Sequence, residues 1–182
     1  LGGSLLVCFY SQALIVHAGD VGDRSILTEL GRTRKPVLLK RGFAATLREF
    51  VLAAEFVLAG GNDQVVLCER GIRGFDPTTR NVLDLGGVAA LKQMCHLPVI
   101  VDPSHAAGRA DLVRPLARAA LAAGADGLIL EVHTNPVEAH SDSEQAIDFA
   151  TFERVVADAR ALVALDGRRL ATIAATPTGA SK

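Results

Sequence analysis

The sequence predicts a parallel α/β protein built from consecutive βα units, and two observations support this prediction. Four apolar runs each end in a charged residue: Pro36–Lys40, Val65–Glu69, Pro98–Asp102 and Gly127–Glu131. Uninterrupted apolar runs of this length are typical of strands buried on both faces of a parallel sheet. The runs begin 29, 33 and 29 residues apart, which is the spacing expected for a strand and its following helix.

Amphipathic patterns fill the gaps between these runs. Apolar residues at i, i+3 and i+4 spacing predict helices over residues 47–58, 112–123 and 149–163. A glycine pair, Gly60-Gly61, follows the first of them as a stop signal. A weaker strand is predicted at Leu14–His17, with a helix from Ser25 to Leu30. The sequence thus contains about five strands.

Two architectures contain such units, an open doubly wound sheet and a (β/α)8 TIM barrel. No G-x-G-x-x-G or P-loop motif follows a predicted strand, which argues against a nucleotide-binding open sheet. The barrel is therefore preferred, although a whole barrel needs eight strands and typically about 250 residues. With five strands in 182 residues, we expect a partial barrel.

The composition excludes several classes of partner. Nineteen Lys and Arg residues balance 20 Asp and Glu residues, for a formal charge of -1, so no global positive field attracts nucleic acid or an acidic membrane. No apolar stretch approaches the length of about 18 residues that a membrane span needs. The three cysteines form no C-x-x-C motif. This usage fits a reducing compartment, and we expect a cytoplasmic location.

Charged residues cluster where the predicted strands end. They are Lys40, Glu69, Arg70, Asp102, His105, Glu131 and His133. Because the carboxyl ends of parallel strands meet at one edge, these groups should converge. The cationic half suits a phosphorylated substrate, and the half with acids and histidine suits a divalent metal. The alternative is structural pairing, of Lys40 with Glu69 and of Arg70 with Asp102.

His105, Glu131 and Asp142 are the metal candidates. One imidazole and two carboxylates suit Mn, Fe, Co or Zn in a catalytic rather than a structural site. His133 and His140 compete as ligands on spacing alone. The ordinary alternatives are a loop histidine for His105 and a helix N-cap for Asp142, which precedes the last predicted helix.

Five segments resemble, in the same order, the motifs of one enzyme family. They are Lys35–Gly42, Leu67–Arg73, Thr79–Asp84, Leu97–His105 and Ala123–His133. The family is the 3-deoxy-D-arabino-heptulosonate 7-phosphate (DAHP) synthases of type I, in the subgroup related to KDO8P synthase. The resemblance divides the chain into a divergent segment at 1–24, a DAHP synthase-like part at 25–165 and a flexible tail at 166–182.

This resemblance implies a TIM barrel of which about the last five βα units are present. It also implies a carbon–carbon bond-forming transferase that condenses phosphoenolpyruvate with erythrose 4-phosphate, the first step of the shikimate pathway. Lys40 and Arg70 would bind phosphoenolpyruvate, and Lys40 and His105 would be catalytic. His105, Glu131 and Asp142 would bind the required divalent metal (Mn, Fe, Co or Zn). We expect a homo-oligomer.

The sequence departs from the family at its amino-terminal end. The Gly-Pro-Cys-Ser motif that carries the family's fourth metal ligand is not found, and Cys8 has different neighbours. The motifs of the first three barrel strands are not found either. The alternative function is therefore a truncated, non-catalytic relic or subunit that binds a partner or a regulatory ligand. Since an open set of parallel strands leaves unpaired edges, we also expect poor solubility or self-association.

Overall fold

The computed structural model describes residues 4–7, 13–18, 24–139 and 142–171. Its strands are β1 Ser4–Val7, β2 Leu14–Ala18, β3 Val37–Arg41, β4 Val65–Glu69, β5 Val99–Val101, β6 Gly127–Leu128 and β7 Arg169–Leu170. Its helices are α1 Arg24–Arg32, α2 Leu47–Ala59, α3 Leu85–Met94, α4 Pro103–Ala107, α5 Ala110–Ala122 and α6 Phe149–Leu165, with a 3-10 turn at Pro136–Glu138. The five predicted strands and the predicted helices are confirmed.

The strands form one parallel sheet in the order β2-β3-β4-β5-β6-β1-β7. From β2 to β6, each strand lies beside the next strand along the chain, so every crossover advances in the same direction. A doubly wound sheet would reverse its strand order part-way. The singly wound order is that of a barrel wall, and in the described residues the wall is open, with β2 and β7 at its two edges.

Two short strands are additional to the predicted set. β1 lies in the segment expected to be divergent and pairs with both β6 and β7. β7 lies at the start of the segment expected to be a tail, where Arg168 donates hydrogen bonds to the carbonyl oxygens of Leu121 and Ala125. Residues 172–182 lie outside the described residues.

The helices begin and end where local chemistry satisfies their backbone groups. Thr46 and Glu49 form a reciprocal capping box at the start of α2, which ends at Gly60. The backbones of α1 and α2 approach closely at Gly31 and Gly60, since a Cβ on Gly31 would lie 2.8 Å from the Cα of Gly60. None of the described helices is long and apolar enough to cross a membrane.

Alternation along the strands divides the sheet into two faces. The outer face packs its apolar side chains against the helices; these include Val37, Leu39, Leu67, Val99 and Val101. The inner face carries a smaller buried cluster of Leu38, Cys68 and Ile100. Lys40, Arg70 and Asp102 each follow a member of this inner cluster by two residues. Successive side chains of a strand point to opposite faces, so residues two apart point to the same face. The strand ends therefore place these three charges on the inner face.

Candidate active site

Ion pairs at the strand ends follow this division into faces. Lys40 Nζ donates to Asp102 Oδ2 at 2.7 Å, and Arg41 donates to Glu69 at 2.9 Å. The structural pairs considered from the sequence, Lys40 with Glu69 and Arg70 with Asp102, are therefore wrong. Lys40 lies in register with the residue that precedes Glu69, so the side chains of Lys40 and Glu69 point to opposite faces of the sheet.

Asp102 connects Lys40 to His105 on the inner face. Its Oδ2 lies 2.8 Å from His105 Nδ1, and its Oδ1 accepts a hydrogen bond from the His105 backbone N–H at 2.9 Å. Asp102 is the N-cap of the short helix α4, with Pro103 in its first turn. Burial favours a higher pKa for the Asp102 carboxyl, but its contact with the His105 ring and the charge of Lys40 outweigh burial and lower the pKa below the ordinary value. Asp102 is therefore an ionised link between the two candidate catalytic residues.

The second ring nitrogen of His105 faces Glu131. Nε2 of His105 lies 3.8 Å from Oε1 of Glu131. Glu131 follows β6, and its backbone N–H donates to the buried hydroxyl of Ser104 at 3.1 Å. That bond ties the end of β6 to the turn that carries His105. Two of the three predicted metal ligands thus lie side by side, supported by adjacent elements.

Asp142 does not join this pair. Its Oδ1 lies 3.6 Å from Nη1 of Arg80, and its backbone is in the left-handed region with φ of 56°. The alternative reading of Asp142 as a helix N-cap is wrong, because Asp148 caps α6 by accepting from the backbone N–H of Thr151. Across the part of the chain that the structure describes, no three His, Cys, Asp or Glu side chains are close enough to hold a metal ion.

Of the two competing histidines, the structure describes only His133. Nδ1 of His133 lies 2.7 Å from the carbonyl oxygen of Asn135, and the Asn135 backbone N–H also points to it. His133 therefore uses one ring nitrogen within its own loop. His140 lies outside the described residues.

The donors present fit a divalent metal in part. His105 and Glu131 supply one nitrogen and one oxygen at a separation that two ligands of a single ion adopt, since each bonds at about 2.0–2.2 Å. A carboxylate beside the other imidazole nitrogen, here Asp102, is the usual support of a metal-binding histidine. Among the residues that the structure describes, a third donor is not in place, because Asp142 lies against Arg80.

Arg70 is buried on the inner face without an ion pair among the described residues. Its guanidinium lies over the ring of Phe43, with 4.4 Å from Cζ to the ring centroid. Its Nε has no hydrogen-bond partner within the described ranges. Burial lowers the pKa of Arg70, and the charge of Asp102 offsets only part of this effect. Arg70 is therefore a buried cation with free donors.

A second ionic network shapes the loops on the outer face, and the sequence interpretation did not include it. Arg41 bridges Glu69 and Asp84, and Glu69 also accepts from the backbone N–H of Gly71 at 2.7 Å. Gly71 has a φ of +93°, and a Cβ there would lie 2.6 Å from Cβ of Asn81. Burial raises the pKa of the Glu69 carboxyl, although its bond to Arg41 acts in the opposite direction.

The loop after β4 is fastened to the turn that carries the histidine. Asn81 donates from its backbone to the carbonyl oxygen of Ala106 and from its side chain to that of His105. The backbone N–H of Arg80 donates to Ala107. Side-chain amides that bond to distant backbone are not marked by sequence spacing, which is why Asn81 was not a candidate.

Comparison with known proteins identifies the family. The DAHP synthetase I family profile matches residues 13–164. The chain belongs to the DAHP synthetase I family. It is 46% identical over 156 residues to the phospho-2-dehydro-3-deoxyheptonate aldolase of Thermotoga maritima, an alignment that covers 86% of this chain and 46% of the relative. The predicted resemblance is thus confirmed.

More distant relatives and solved structures agree with this membership. A 2-dehydro-3-deoxyphosphooctonate aldolase of Pseudomonas putida is 33% identical over 150 residues, with 75% of this chain and 52% of the relative covered. A truncated form of the Thermotoga maritima 3-deoxy-D-arabino-heptulosonate 7-phosphate synthase superposes with a TM-score of 0.85 at 44% identity, covering 89% of this chain and 62% of that one. The chain spans about half the length of the curated relatives it matches.

Proposed function

We propose that this chain carries the phosphoenolpyruvate- and metal-binding part of a 3-deoxy-7-phosphoheptulonate (DAHP) synthase. This enzyme condenses phosphoenolpyruvate with erythrose 4-phosphate at the entry to the shikimate pathway. The proposed location is the cytoplasm. The observation that carries the proposal is the gathering of Lys40, Arg70, His105 and Glu131 at the ends of β3 to β6. It is supported by 46% identity to a phospho-2-dehydro-3-deoxyheptonate aldolase.

The two cations would divide the work of binding the anionic substrate. Arg70 has no ion pair in the described residues, so its fork of N–H donors is available to a phosphate or carboxylate. Lys40 is already paired with Asp102, and its ammonium keeps two further N–H groups for a ligand. Arg70 would therefore supply most of the positive charge that is not already neutralised. Lys40, held by Asp102, would orient the bound substrate.

The carboxylate of Asp102 links Lys40 to His105 and orients both groups. The ammonium of Lys40 and the imidazole of His105 both contact the same carboxylate oxygen, at 2.7 and 2.8 Å. Asp102 fixes both groups and stays ionised. Lys40 is placed to give a proton to a substrate oxygen beside it, and Asp102 stabilises whichever neighbour is then charged.

His105 and Glu131 would hold the divalent metal. His105 contacts Asp102 through Nδ1, so its Nε2 is the nitrogen left for the ion. We assign Asp142 as the third ligand, reached when its carboxylate leaves Arg80. When bound, Mn, Fe, Co or Zn would act as a Lewis acid on the aldehyde oxygen, where negative charge develops as the new carbon–carbon bond forms.

A metal titration with a matched histidine control tests the site. Calorimetry with Mn²⁺ on the 182-residue chain should give binding that is lost in His105→Gln and in Glu131→Gln. His133→Gln should bind like the wild type, because Nδ1 of His133 is used within its own loop. Equal binding by all variants would overturn the assignment of the ligands.

An activity assay tests the reaction. The purified chain is incubated with phosphoenolpyruvate, erythrose 4-phosphate and Mn²⁺, with and without a chelator, and the seven-carbon product is measured. Metal-dependent product that is lost in Lys40→Met, under conditions where circular dichroism shows this variant to be folded, would support the proposal. No product from a chain that binds both Mn²⁺ and phosphoenolpyruvate would favour the second candidate function.

That second candidate is a non-catalytic subunit or relic that binds a partner or regulatory ligand. One observation favours it: within the described ranges no three metal-donor side chains are gathered. In the part of the sheet that the structure describes, β2 and β7 are open edges, which also leads us to propose self-association into a homo-oligomer under either function. Sedimentation of the chain as a monomer at every concentration would contradict the association.

A further inference from the structure

An exposed aromatic ring supports the buried arginine of the candidate site. Phe43 lies in the turn after β3 and is 42% exposed, whereas Arg70, against which it packs, is 6% exposed. The separation of 4.4 Å between the guanidinium carbon and the ring centroid is well within cation–π range. The guanidinium carbon thus lies over the face of the ring at the rim of the site.

Arg70 differs from the other buried cations of the described chain. Lys40 is paired with Asp102, and Arg41 is paired with Glu69 and Asp84. Arg70 has no carboxylate within ion-pair distance in the described residues, and its Nε is unbonded. A buried charge without an ion pair is unfavourable. The charge of Asp102 offsets part of this cost, and the Phe43 ring contacts the guanidinium directly.

Two hydrogen bonds fix the backbone of the turn that carries the ring. The carbonyl oxygen of Phe43 accepts from the backbone N–H of Arg73 at 2.9 Å, which ties this turn to the loop after Arg70. The carbonyl oxygen of Ala45 accepts from Nε of the buried Arg41 at 3.0 Å. The backbone of the turn is therefore fixed at Phe43 and at Ala45, which places the attachment point of the ring beside Arg70.

We propose that Phe43 is a positioning residue for anion binding: its ring fixes the plane of the Arg70 guanidinium so that the free N–H groups meet a phosphorylated carboxylate. Contact with the ring restrains rotation of the planar fork, and a pre-oriented fork loses less conformational entropy when it binds an anion. The proposal rests on the proposed function only in taking that anion to be phosphoenolpyruvate.

Affinity measurements on the full chain test the proposal. Calorimetry with phosphoenolpyruvate, and separately with inorganic phosphate, is done on wild type, Phe43→Leu and Phe43→Tyr. We expect Phe43→Leu to bind both probes about five- to tenfold more weakly, and Phe43→Tyr to stay within about twofold of wild type. Phe75→Leu is the matched control. Phe75 lies fully exposed in the loop after β4, so this variant should bind both probes like the wild type.

A spectroscopic measurement separates positioning from a general effect on folding. The Nε–H proton of Arg70, followed by nuclear magnetic resonance, should show an upfield ring-current shift in wild type and Phe43→Tyr but not in Phe43→Leu. Equal loss of affinity in Phe43→Leu and Phe43→Tyr would overturn the proposal. So would the absence of a ring-current shift in the wild type.

Arg70→Lys distinguishes failure of this proposal from failure of the proposed function. If Arg70→Lys binds both anions like wild type, Arg70 is not the anion site and the proposed function loses its substrate pocket. If Arg70→Lys loses binding while Phe43→Leu keeps wild-type affinity, the proposed function stands and the role of Phe43 is refuted.

Discussion

Replacing Lys40 with methionine should destabilise the chain strongly, because it leaves the Asp102 carboxylate buried without its cation. The two side chains are 5% and 1% exposed, and their charged atoms are 2.7 Å apart. At an effective dielectric constant of about 20, charges at that distance attract by roughly 6 kcal/mol. The energy needed to desolvate the lysine offsets part of this attraction.

The net loss follows from the contacts that remain. Removing one partner of a buried pair typically costs about 3–5 kcal/mol. Asp102 would keep its two contacts with His105, so we expect the lower end of the range, about 3 kcal/mol. Since about 1.4 kcal/mol corresponds to a factor of ten, the folding equilibrium constant should fall roughly a hundredfold.

Denaturant unfolding followed by circular dichroism measures this change. Arg32→Met is the control, because Arg32 forms a pair with Glu29 at a similar distance but at the surface; it should change the free energy of unfolding by less than about 1 kcal/mol. The double variant Lys40→Met/Asp102→Asn removes the unpaired charge and should recover part of the lost stability.

Two results would refute the reasoning. One is a loss in Lys40→Met no larger than that in Arg32→Met, which would mean that the buried pair contributes like an exposed pair. The other is a double variant less stable than Lys40→Met, which would mean that the buried carboxylate is not the source of the instability.

Three further predictions concern other parts of the fold. Asp84→Asn should lower the free energy of unfolding by about 1 kcal/mol at pH 7. Burial raises the pKa of the Asp84 carboxyl, but its hydrogen bonds, above all the one to the Arg41 guanidinium, and the charge of Arg41 together outweigh burial, and the pKa lies below 3.8. The difference between Asp84→Asn and wild type should therefore vanish as the pH falls below 3.8. Gly31→Ala should lower the free energy of unfolding by about 1–3 kcal/mol, because the added methyl group forces α1 away from Gly60. Gly86→Ala is the control: its methyl group would make only an ordinary van der Waals contact with Asp84, so this variant should be neutral or slightly stabilising. Gln145→Met should raise the free energy of unfolding by about 1 kcal/mol, since the buried amide has no hydrogen-bond partner in the described chain.

Unfolding curves for each variant check these expectations. The sign for Asp84 follows from linkage: a carboxyl whose pKa is lowered by folding adds stability above its unfolded pKa and loses it as the pH falls through its folded pKa. A gap between Asp84→Asn and wild type that widens in acid would contradict this. Equal effects of Gly31→Ala and Gly86→Ala would refute the close helix contact, and a destabilising Gln145→Met would mean that the amide has a partner.

Much of the fold was predictable because it follows from local pattern. The runs that end at Lys40, Glu69, Asp102 and Glu131 were recognisable as strands from apolar continuity alone. The short strands β1 and β7, of four and two residues, were not predicted. Elements this short contain too few residues to show a period, and their existence depends on a neighbouring strand edge.

The candidate site was predictable as a set of residues but not as a set of contacts. Sequence placed charges at the strand ends, and the structure brings His105 beside Glu131. The sequence did not reveal that Asp142 would lie against Arg80, because the two residues are far apart in the chain and belong to different loops. Spacing identifies residue types that suit a metal, whereas donor geometry depends on how loops pack.

By itself, the sequence determined that this protein is a succession of βα units with basic and acidic groups at the strand ends, because hydrophobic periodicity and residue type are local properties. Only the tertiary structure decided that Lys40 pairs with Asp102 while Arg41 pairs with Glu69. The reason is physical: strand register and the alternation of side chains assign neighbouring charges to opposite faces of the sheet, and a partner is selected only when the strands are side by side.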